Sequence, residues 1–129
     1  MMIVPAYASF FAFLFIILSA RTIMARRSAK VALGTGRNKA LERAVRAHAN
    51  FAEYVPLTLL LISFAEQRGT HHLVINLLCV LFLAGRALHA WGVSQEPENF
   101  RYRVAGIMLT FGTIALSSAA ICYSYLSLL

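Results

Sequence analysis

Four long stretches that are nearly free of charge constrain this chain more than any other feature. Residues 1–20, 69–85 and 104–129 contain no Asp, Glu, Lys or Arg, and residues 47–65 contain only Glu53. A bilayer core needs about 20 predominantly apolar residues per helix. The chain has 129 residues, 60% of them hydrophobic, which is enough for one domain with short connections. The sequence therefore predicts an all-α, integral membrane four-helix bundle with spans at about 3–24, 39–66, 73–93 and 100–128.

The distribution of basic residues predicts how the bundle is oriented. Eight of the 12 Lys and Arg lie between Arg21 and Arg46, three flank the third connection, and only Arg68 lies in the second. Positive charge favours the cytoplasmic side, so the first and third connections are expected inside and both termini outside. The first span has no basic leader and is followed by basic residues, which indicates a retained anchor. We expect an integral membrane protein with this orientation.

The net charge of +7 does not predict a nucleic-acid partner. The charge is concentrated at one membrane face, where anionic lipid head groups explain it. Cys79 and Cys122 lie deep in predicted spans without a neighbouring Cys or spaced His, so both are interpreted as small apolar core residues. His71 and His72 have no third ligand nearby, and no metal site is predicted.

The second span carries an ionised stripe that a lipid-facing helix does not require. At about 100° per residue, Arg46, Asn50 and Glu53 lie within about 60° of one another, with Glu42 and Arg43 at the edges. An ionised group in hydrocarbon costs at least about 2.5 kcal/mol. The stripe is therefore expected to face other helices or a wet cavity.

Local signals shape the same helix. Asn38 is expected to cap its first turn. Glu42 and Arg46 are four residues apart and are expected to pair along the helix surface. Pro56 removes a backbone donor and is expected to bend the helix beside the stripe.

The other spans contribute polar groups at the same membrane level. Arg86 and His89 lie on one face of the third span, and Arg101 and Arg103 begin the fourth. Arg21, at the end of the first span, either extends to the head groups or contributes to the stripe. The fourth span also offers small residues for close helix packing: Gly106, Gly112, Ser117, Ser118, Ala119 and Ala120.

The chemistry of the polar groups favours a small anionic or zwitterionic ligand. Guanidinium groups bind carboxylates through paired hydrogen bonds, and a lone acid among them suits an ammonium group. No set of residues matches a serine or cysteine triad, so hydrolysis is not predicted. The candidates are Arg21, Arg43, Arg46, His48, Asn50, Glu53, Tyr54, Arg86, His89, Arg101, Tyr102 and Arg103.

One motif resembles a known family. The superfamily of membrane-associated proteins in eicosanoid and glutathione metabolism (MAPEG) has a helix-two signature similar to the run Glu42-Arg43-x-x-Arg46-Ala47-x-x-Asn50-x-x-Glu53-Tyr54-x-Pro56. Its members include microsomal glutathione transferases, the leukotriene-forming synthase and many small bacterial relatives, so the resemblance implies a protein of the bacterial inner membrane. The resemblance extends over nearly the whole chain and includes Ser19-Ala20-Arg21, Gly85-Arg86 with Gly92, and the basic start of the fourth span.

The resemblance implies a homotrimer that binds glutathione, as co-substrate, between neighbouring subunits. Arg103 resembles the arginine that stabilises the glutathione thiolate, with Arg101 as the alternate. Cationic neighbours lower the pKa of a thiol from about 8.5 toward neutrality, and the thiolate is the nucleophile. The second substrate would be a lipophilic electrophile or peroxide from the bilayer. The implied glutathione-binding residues are Arg46, Asn50, Glu53 and Tyr54, with Arg21, His48, Arg86 and His89 in addition.

The sequence departs from the family pattern at two positions, and two other functions remain open. His89 and Val93 stand where the eicosanoid-synthesising members have tyrosines, which argues against leukotriene synthesis. The expected function is a membrane-embedded, glutathione-dependent transferase or peroxidase. The first alternative is a non-catalytic, lipid- or partner-binding member of the same fold. The second is a small proton-coupled exporter with Glu53 as the proton site, although nearby arginines would keep that carboxylate ionised.

Overall fold

The structure, a computed structural model, describes residues 2–127 and contains four helices. They are α1 (Val4–Ala29), α2 (Lys39–Gln67), α3 (His72–Ser94) and α4 (Phe100–Leu126). The prediction of four helices in an all-α chain is confirmed. Helices α1, α3 and α4 are long and apolar enough to cross a membrane, whereas α2 has the length but carries the ionised stripe. The predicted end of the fourth span, near residue 128, lies outside the described residues.

The ends of α1 and α2 follow from local chemistry. Helix α1 continues to Ala29, beyond the expected end near residue 24, with Arg26 and Arg27 in its last turn, where the helix dipole favours cations. The side chain of Asn38 accepts a hydrogen bond from Leu41 N at 2.9 Å, which confirms the predicted cap of α2. Helix α2 continues through Pro56 without interruption.

A carboxylate from α2 holds the beginning of α1. Glu66, in the last turn of α2, accepts hydrogen bonds from the backbone amides of Ile3 and Val4. The first amides of a helix have no partner within the helix. The carboxylate therefore completes the start of α1 at the end of the bundle opposite the basic first connection.

Helices α3 and α4 are in backbone contact because glycines lie between them. A Cβ atom on Gly106 would lie 2.5 Å from Gly85 O and 2.6 Å from His89 N, and one on Gly92 would lie 2.6 Å from Arg103 N. The expected packing role of Gly106 is thereby confirmed. Gly112 has no atom within 4 Å of such a position and makes no close helix contact. The glycine contacts fix the register between α3 and the first turns of α4.

The core lies between α1, α2 and α3, and a cluster of three phenylalanine rings packs within its mostly aliphatic side chains. The ring of Phe11 lies 4.8 Å from that of Phe82 and 6.2 Å from that of Phe51. Cys79 is buried in this region, but Cys122 is exposed on α4, so its interpretation as a core residue is wrong. A cysteine is apolar enough to face lipid, and helix position alone does not separate the two surroundings.

Candidate functional site

An open, cation-rich cavity of about 460 Å³ lies where α2 and α4 begin and α3 ends. It contains four cationic side chains and two carboxylates. Its lining residues are Lys39, Glu42, Arg43, Arg46, Asn50, His89, Val93, Glu98 and Arg103. The excess of cations makes an anion the natural occupant.

One face of α2 forms the cationic wall of the cavity. Lys39, Arg43, Arg46 and Asn50 are separated by four, three and four residues, which is the spacing of side chains on a single helix face. Arg46 is exposed and Asn50 is buried. The wall therefore runs from solvent toward the interior of the bundle.

Behind Asn50 lies a guanidinium group that is only partly satisfied. Arg86 is 1% exposed, and its Nη2 donates to Asn50 Oδ1 at 2.9 Å. The ring centroid of Tyr54 lies 5.6 Å from Arg86 Cζ, within the range of a cation–π contact. Arg86 Nε and Nη1 are buried and have no hydrogen-bond partner within residues 2–127. A buried donor without an acceptor costs about 1–3 kcal/mol, so the burial of this guanidinium group is only partly compensated.

His89 connects the α3 wall of the cavity to α4. It is 5% exposed, and its Nδ1 lies 3.1 Å from the backbone oxygen of Arg103. A carbonyl oxygen can only accept, so Nδ1 carries a hydrogen and the neutral imidazole has its free lone pair on Nε2. The side chain is therefore fixed in one tautomer beside the cavity.

Two acids of the third connection pair with cavity arginines. Glu98 Oε1 lies 2.8 Å from Arg103 Nη1, and Glu96 Oε2 lies 2.8 Å from Arg43 Nη1, with a second hydrogen bond from Arg43 Nη2. The hydrogen bond from Arg43 lowers the pKa of Glu96 below its ordinary value. Two of the four cationic groups of the cavity are thus partly neutralised by acids of this connection.

The expected pair of Glu42 and Arg46 is wrong. The ion pairs within residues 2–127 join Arg43 and Arg103 to the third connection, and neither includes Glu42. An exposed pair four residues apart in a helix gains only about 0.3–0.5 kcal/mol, too little to hold two long side chains together. Glu42 and Arg46 instead both line the cavity.

Two of the residues expected to bind glutathione lie outside the cavity, toward α1. His48 Nε2 lies 3.0 Å from Ser19 Oγ, and its ring is 4.9 Å from that of Phe15. Arg21 Nη1 donates to Ser94 Oγ at 2.9 Å and thereby joins the end of α1 to the end of α3. In the single chain both side chains connect helices and do not line the cavity.

Three further candidates also lie beyond the cavity lining. Glu53 is exposed on α2, with no hydrogen bond or ion pair in the described part of the chain. Tyr54 is half-buried and packs between Arg86 and Phe111, whose ring lies 5.8 Å away. Arg101 is exposed and absent from the lining, whereas Arg103 is part of it. Of the candidates, the cavity therefore brings together Arg43, Arg46, Asn50, His89 and Arg103, and Arg86 lies directly behind Asn50.

The structure adds residues that sequence analysis did not name among the ligand candidates: Lys39, Glu42, Val93 and Glu98. Lys39 could have been predicted from the sequence. It precedes Arg46 by seven residues and Asn50 by eleven, and both spacings return to the same helix face. No comparable signal existed for Glu98, which reaches the cavity from a connection. Within residues 2–127 no group of three His, Cys, Asp or Glu side chains is arranged to hold a metal ion.

Comparison with known proteins decides the family. The model of the MAPEG family matches residues 4–123, a range that contains α1, α2, α3 and most of α4. The chain belongs to the MAPEG family. This MAPEG chain is also 30% identical over 115 residues to inner membrane protein YecN of Escherichia coli strains K12 and O6:H1, covering 89% of this chain and 86% of the relative. With three apolar helices of spanning length, it is an integral protein of the inner membrane.

Proposed function

We propose that this MAPEG protein is a membrane-embedded transferase or peroxidase that uses glutathione as co-substrate against lipophilic electrophiles or peroxides. The observation that carries the proposal is the cationic wall of α2 beside the buried Asn50–Arg86 pair. Family membership is consistent with this activity. The relative's name states a location and no reaction.

The cavity suits a small peptide with two carboxylates and one ammonium group. Its volume of about 460 Å³ is in the range of small-molecule sites. Lys39 and Arg46 line it without an ion-pair partner in residues 2–127 and are available to carboxylates. Glu42 offers an acceptor for the ammonium group. Asn50, which accepts a hydrogen bond from Arg86 behind it, offers its side-chain amide at the deep end to a peptide carbonyl or carboxylate.

Arg103 is the better placed of the two arginines proposed to stabilise the thiolate. It lines the cavity, whereas Arg101 does not. A guanidinium group remains charged at all relevant pH values, so it favours the thiolate over the thiol and lowers the pKa of the bound thiol. The thiolate sulfur then attacks the electrophilic centre of a second substrate that arrives through the bilayer.

A second subunit would complete the site. Glu53 is exposed in the apolar part of α2 without a partner in residues 2–127, and an ionised carboxylate facing lipid costs at least about 2.5 kcal/mol. A neighbouring chain in a homotrimer would remove this carboxylate from lipid. Arg21, His48 and Arg101 would then reach bound glutathione only if subunit contacts bring them to it.

The proposed orientation places the cavity in the cytoplasm and both termini outside. The cavity lies at the end of the bundle that holds the first and third connections, where most basic residues are found. The cytoplasm also keeps low-molecular-weight thiols reduced, as this chemistry requires.

The test uses detergent-solubilised protein, with glutathione binding measured by calorimetry and thiolate formation by ultraviolet absorbance. Arg103→Ala is expected to abolish the thiolate signal while glutathione binding persists through α2. Arg101→Ala is the matched control on the same helix and is expected to retain the signal. Absence of glutathione binding at millimolar concentration would refute the proposal. Binding without turnover on any electrophile would instead support a non-catalytic binding member of the family.

A further inference from the structure

The free nitrogen of His89 is the unexplained group of the cavity. His89 lines the cavity, and its Nδ1 is occupied by the backbone oxygen of Arg103 at 3.1 Å. Its Nε2 has no hydrogen-bond partner within residues 2–127. Nε2 also keeps some accessible surface, because it is not among the fully buried, unpartnered side-chain atoms of that range, which are Arg86 Nε, Arg86 Nη1 and Ser117 Oγ.

The tautomer makes this nitrogen an acceptor. Since the partner of Nδ1 is a carbonyl oxygen, the hydrogen of neutral imidazole must be on Nδ1 and the lone pair on Nε2. A basic lone pair fixed in orientation beside a ligand cavity is the requirement for a general base. Among residues 2–127, His89 is the one imidazole that lines the cavity, because His48 packs against α1.

We infer that His89 accepts the thiol proton of the bound co-substrate, an inference that rests on the proposed function. The S–H bond breaks, an Nε2–H bond forms, and the sulfur keeps the electron pair as a thiolate stabilised by Arg103. The imidazolium ion then releases its Nε2 proton to water at the open mouth of the cavity. Neutral His89 is regenerated, and the net result is one thiolate in the site and one proton in solution.

The surrounding charges support transfer of the proton onward. His89 shares α3 with Arg86, hydrogen-bonds the backbone of Arg103 on α4, and shares the cavity with Glu98 of the connection and with the polar groups of α2. Those groups of α2 are Lys39, Glu42, Arg43, Arg46 and Asn50. Since cations outnumber carboxylates, a lasting imidazolium ion is disfavoured, whereas a brief one next to a new thiolate is compensated. Arg103 would therefore set how much thiolate exists, and His89 how fast it forms.

The experiment compares His89→Asn with wild type by stopped-flow mixing with glutathione. An Asn side-chain amide can still donate to the Arg103 carbonyl in place of Nδ1, but it has no equivalent of Nε2. Thiolate absorbance and proton release to an indicator dye are recorded together. General base catalysis contributes about 10²–10⁴-fold, so thiolate formation should slow by at least about 10²-fold while its final amplitude is retained. Added imidazole should restore part of the rate.

His89→Gln is the second variant and should show the same slow rate, because an amide near the Nε2 position is not basic. The wild-type rate should become independent of pH once His89 is neutral, whereas the variant rates should keep rising with hydroxide. An unchanged thiolate rate in both variants would overturn the inference. So would loss of binding of S-methylglutathione, which has no thiol proton, because that would assign His89 a structural role only. If wild-type protein does not bind glutathione, the proposed function itself fails.

Discussion

The contact between α3 and α4 at Gly106 predicts a large effect from adding one methyl group. In Gly106→Ala the new Cβ would lie 2.5 Å from Gly85 O, 2.6 Å from His89 N and 2.7 Å from His89 Cβ. Ordinary contacts of a Cβ atom begin near 3.4 Å. All three neighbours belong to the backbone or to a Cβ atom, so no change of rotamer can relieve the clash. The two helices must separate locally by close to 1 Å, the order of difference between 2.5 and 3.4 Å.

The loss of stability caused by this clash can be measured separately by comparing Gly106→Ala with Gly112→Ala in the same helix. A Cβ there meets no atom within 4 Å. Both substitutions gain about 1 kcal/mol of helix propensity, which cancels in the difference. Inserting a methyl group into a close-packed contact costs about 1–3 kcal/mol. We therefore expect Gly106→Ala to be less stable than Gly112→Ala by about 1–3 kcal/mol.

The assay is reversible unfolding of detergent-solubilised protein, followed by the fluorescence of Trp91 on α3 and by far-ultraviolet circular dichroism. Separation of the helices should also weaken the bond from His89 to Arg103 O, so Gly106→Ala should form the thiolate more slowly as well as lose stability. Equal stability of the two variants would refute the conclusion that the backbones of α3 and α4 are in contact at this level.

Three further predictions concern carboxylates. Glu98→Gln should free Arg103 from its ion pair and strengthen glutathione binding. An exposed ion pair is worth about 0.2–1 kcal/mol, which corresponds to at most about fivefold in affinity. Weaker binding of glutathione to Glu98→Gln in calorimetry would contradict this. Arg43 lowers the pKa of Glu96, so the pair stabilises the fold above the ordinary carboxyl pKa and this contribution is lost as pH falls below it. The difference in melting temperature between wild type and Glu96→Gln should accordingly shrink as pH falls below the ordinary carboxyl pKa of about 4.3 and through the lower pKa of Glu96, and a constant difference would count against the pair. Glu66→Ala removes the acceptor for the first amides of α1 and should cost about 0.5–2 kcal/mol, with faster hydrogen exchange at that end and unchanged exchange in α3.

The helices could be predicted from the sequence because membrane helices are set by local properties. Apolar runs of sufficient length fix α1, α3 and α4, and a capping asparagine starts α2 despite its charged first half. Backbone N–H and C=O groups in a bilayer must form hydrogen bonds within their own segment. Each apolar run is therefore expected to be a helix. The exact end of α1 was less accessible, because a basic last turn can belong to the helix or to the connection.

Helix geometry explains which of the candidate residues reach the cavity. His48 is two residues from Arg46, about 200° around the helix, and it faces α1 as that angle requires. Arg101 and Arg103 differ by the same angle, so only one can face the cavity. Glu53 shares the face of Arg46 but lies about 10 Å further along the axis.

The acids of the third connection could not be assigned in advance, because their partners depend on tertiary structure. Glu96 and Glu98 are close in sequence, yet one pairs with α2 and the other with α4. A helix wheel contains no information on how a connection folds back over the helix ends. The residues that form the cavity walls could therefore be predicted from the sequence, but which of the cavity cations are paired with acids could not.

The pairing of the cavity cations separates the residues that bind the co-substrate from the residue that activates it. Within residues 2–127, Lys39 and Arg46 line the cavity without a carboxylate partner, whereas Arg103 is paired with Glu98 at 2.8 Å. An anionic ligand can therefore bind the α2 wall directly but must displace Glu98 to reach Arg103. Since the cavity is open and screening at physiological salt acts over about 8 Å, added salt should weaken binding to the α2 wall. It should also loosen the Glu98–Arg103 pair, so the fraction of bound thiol present as thiolate should fall less steeply with salt than the affinity does.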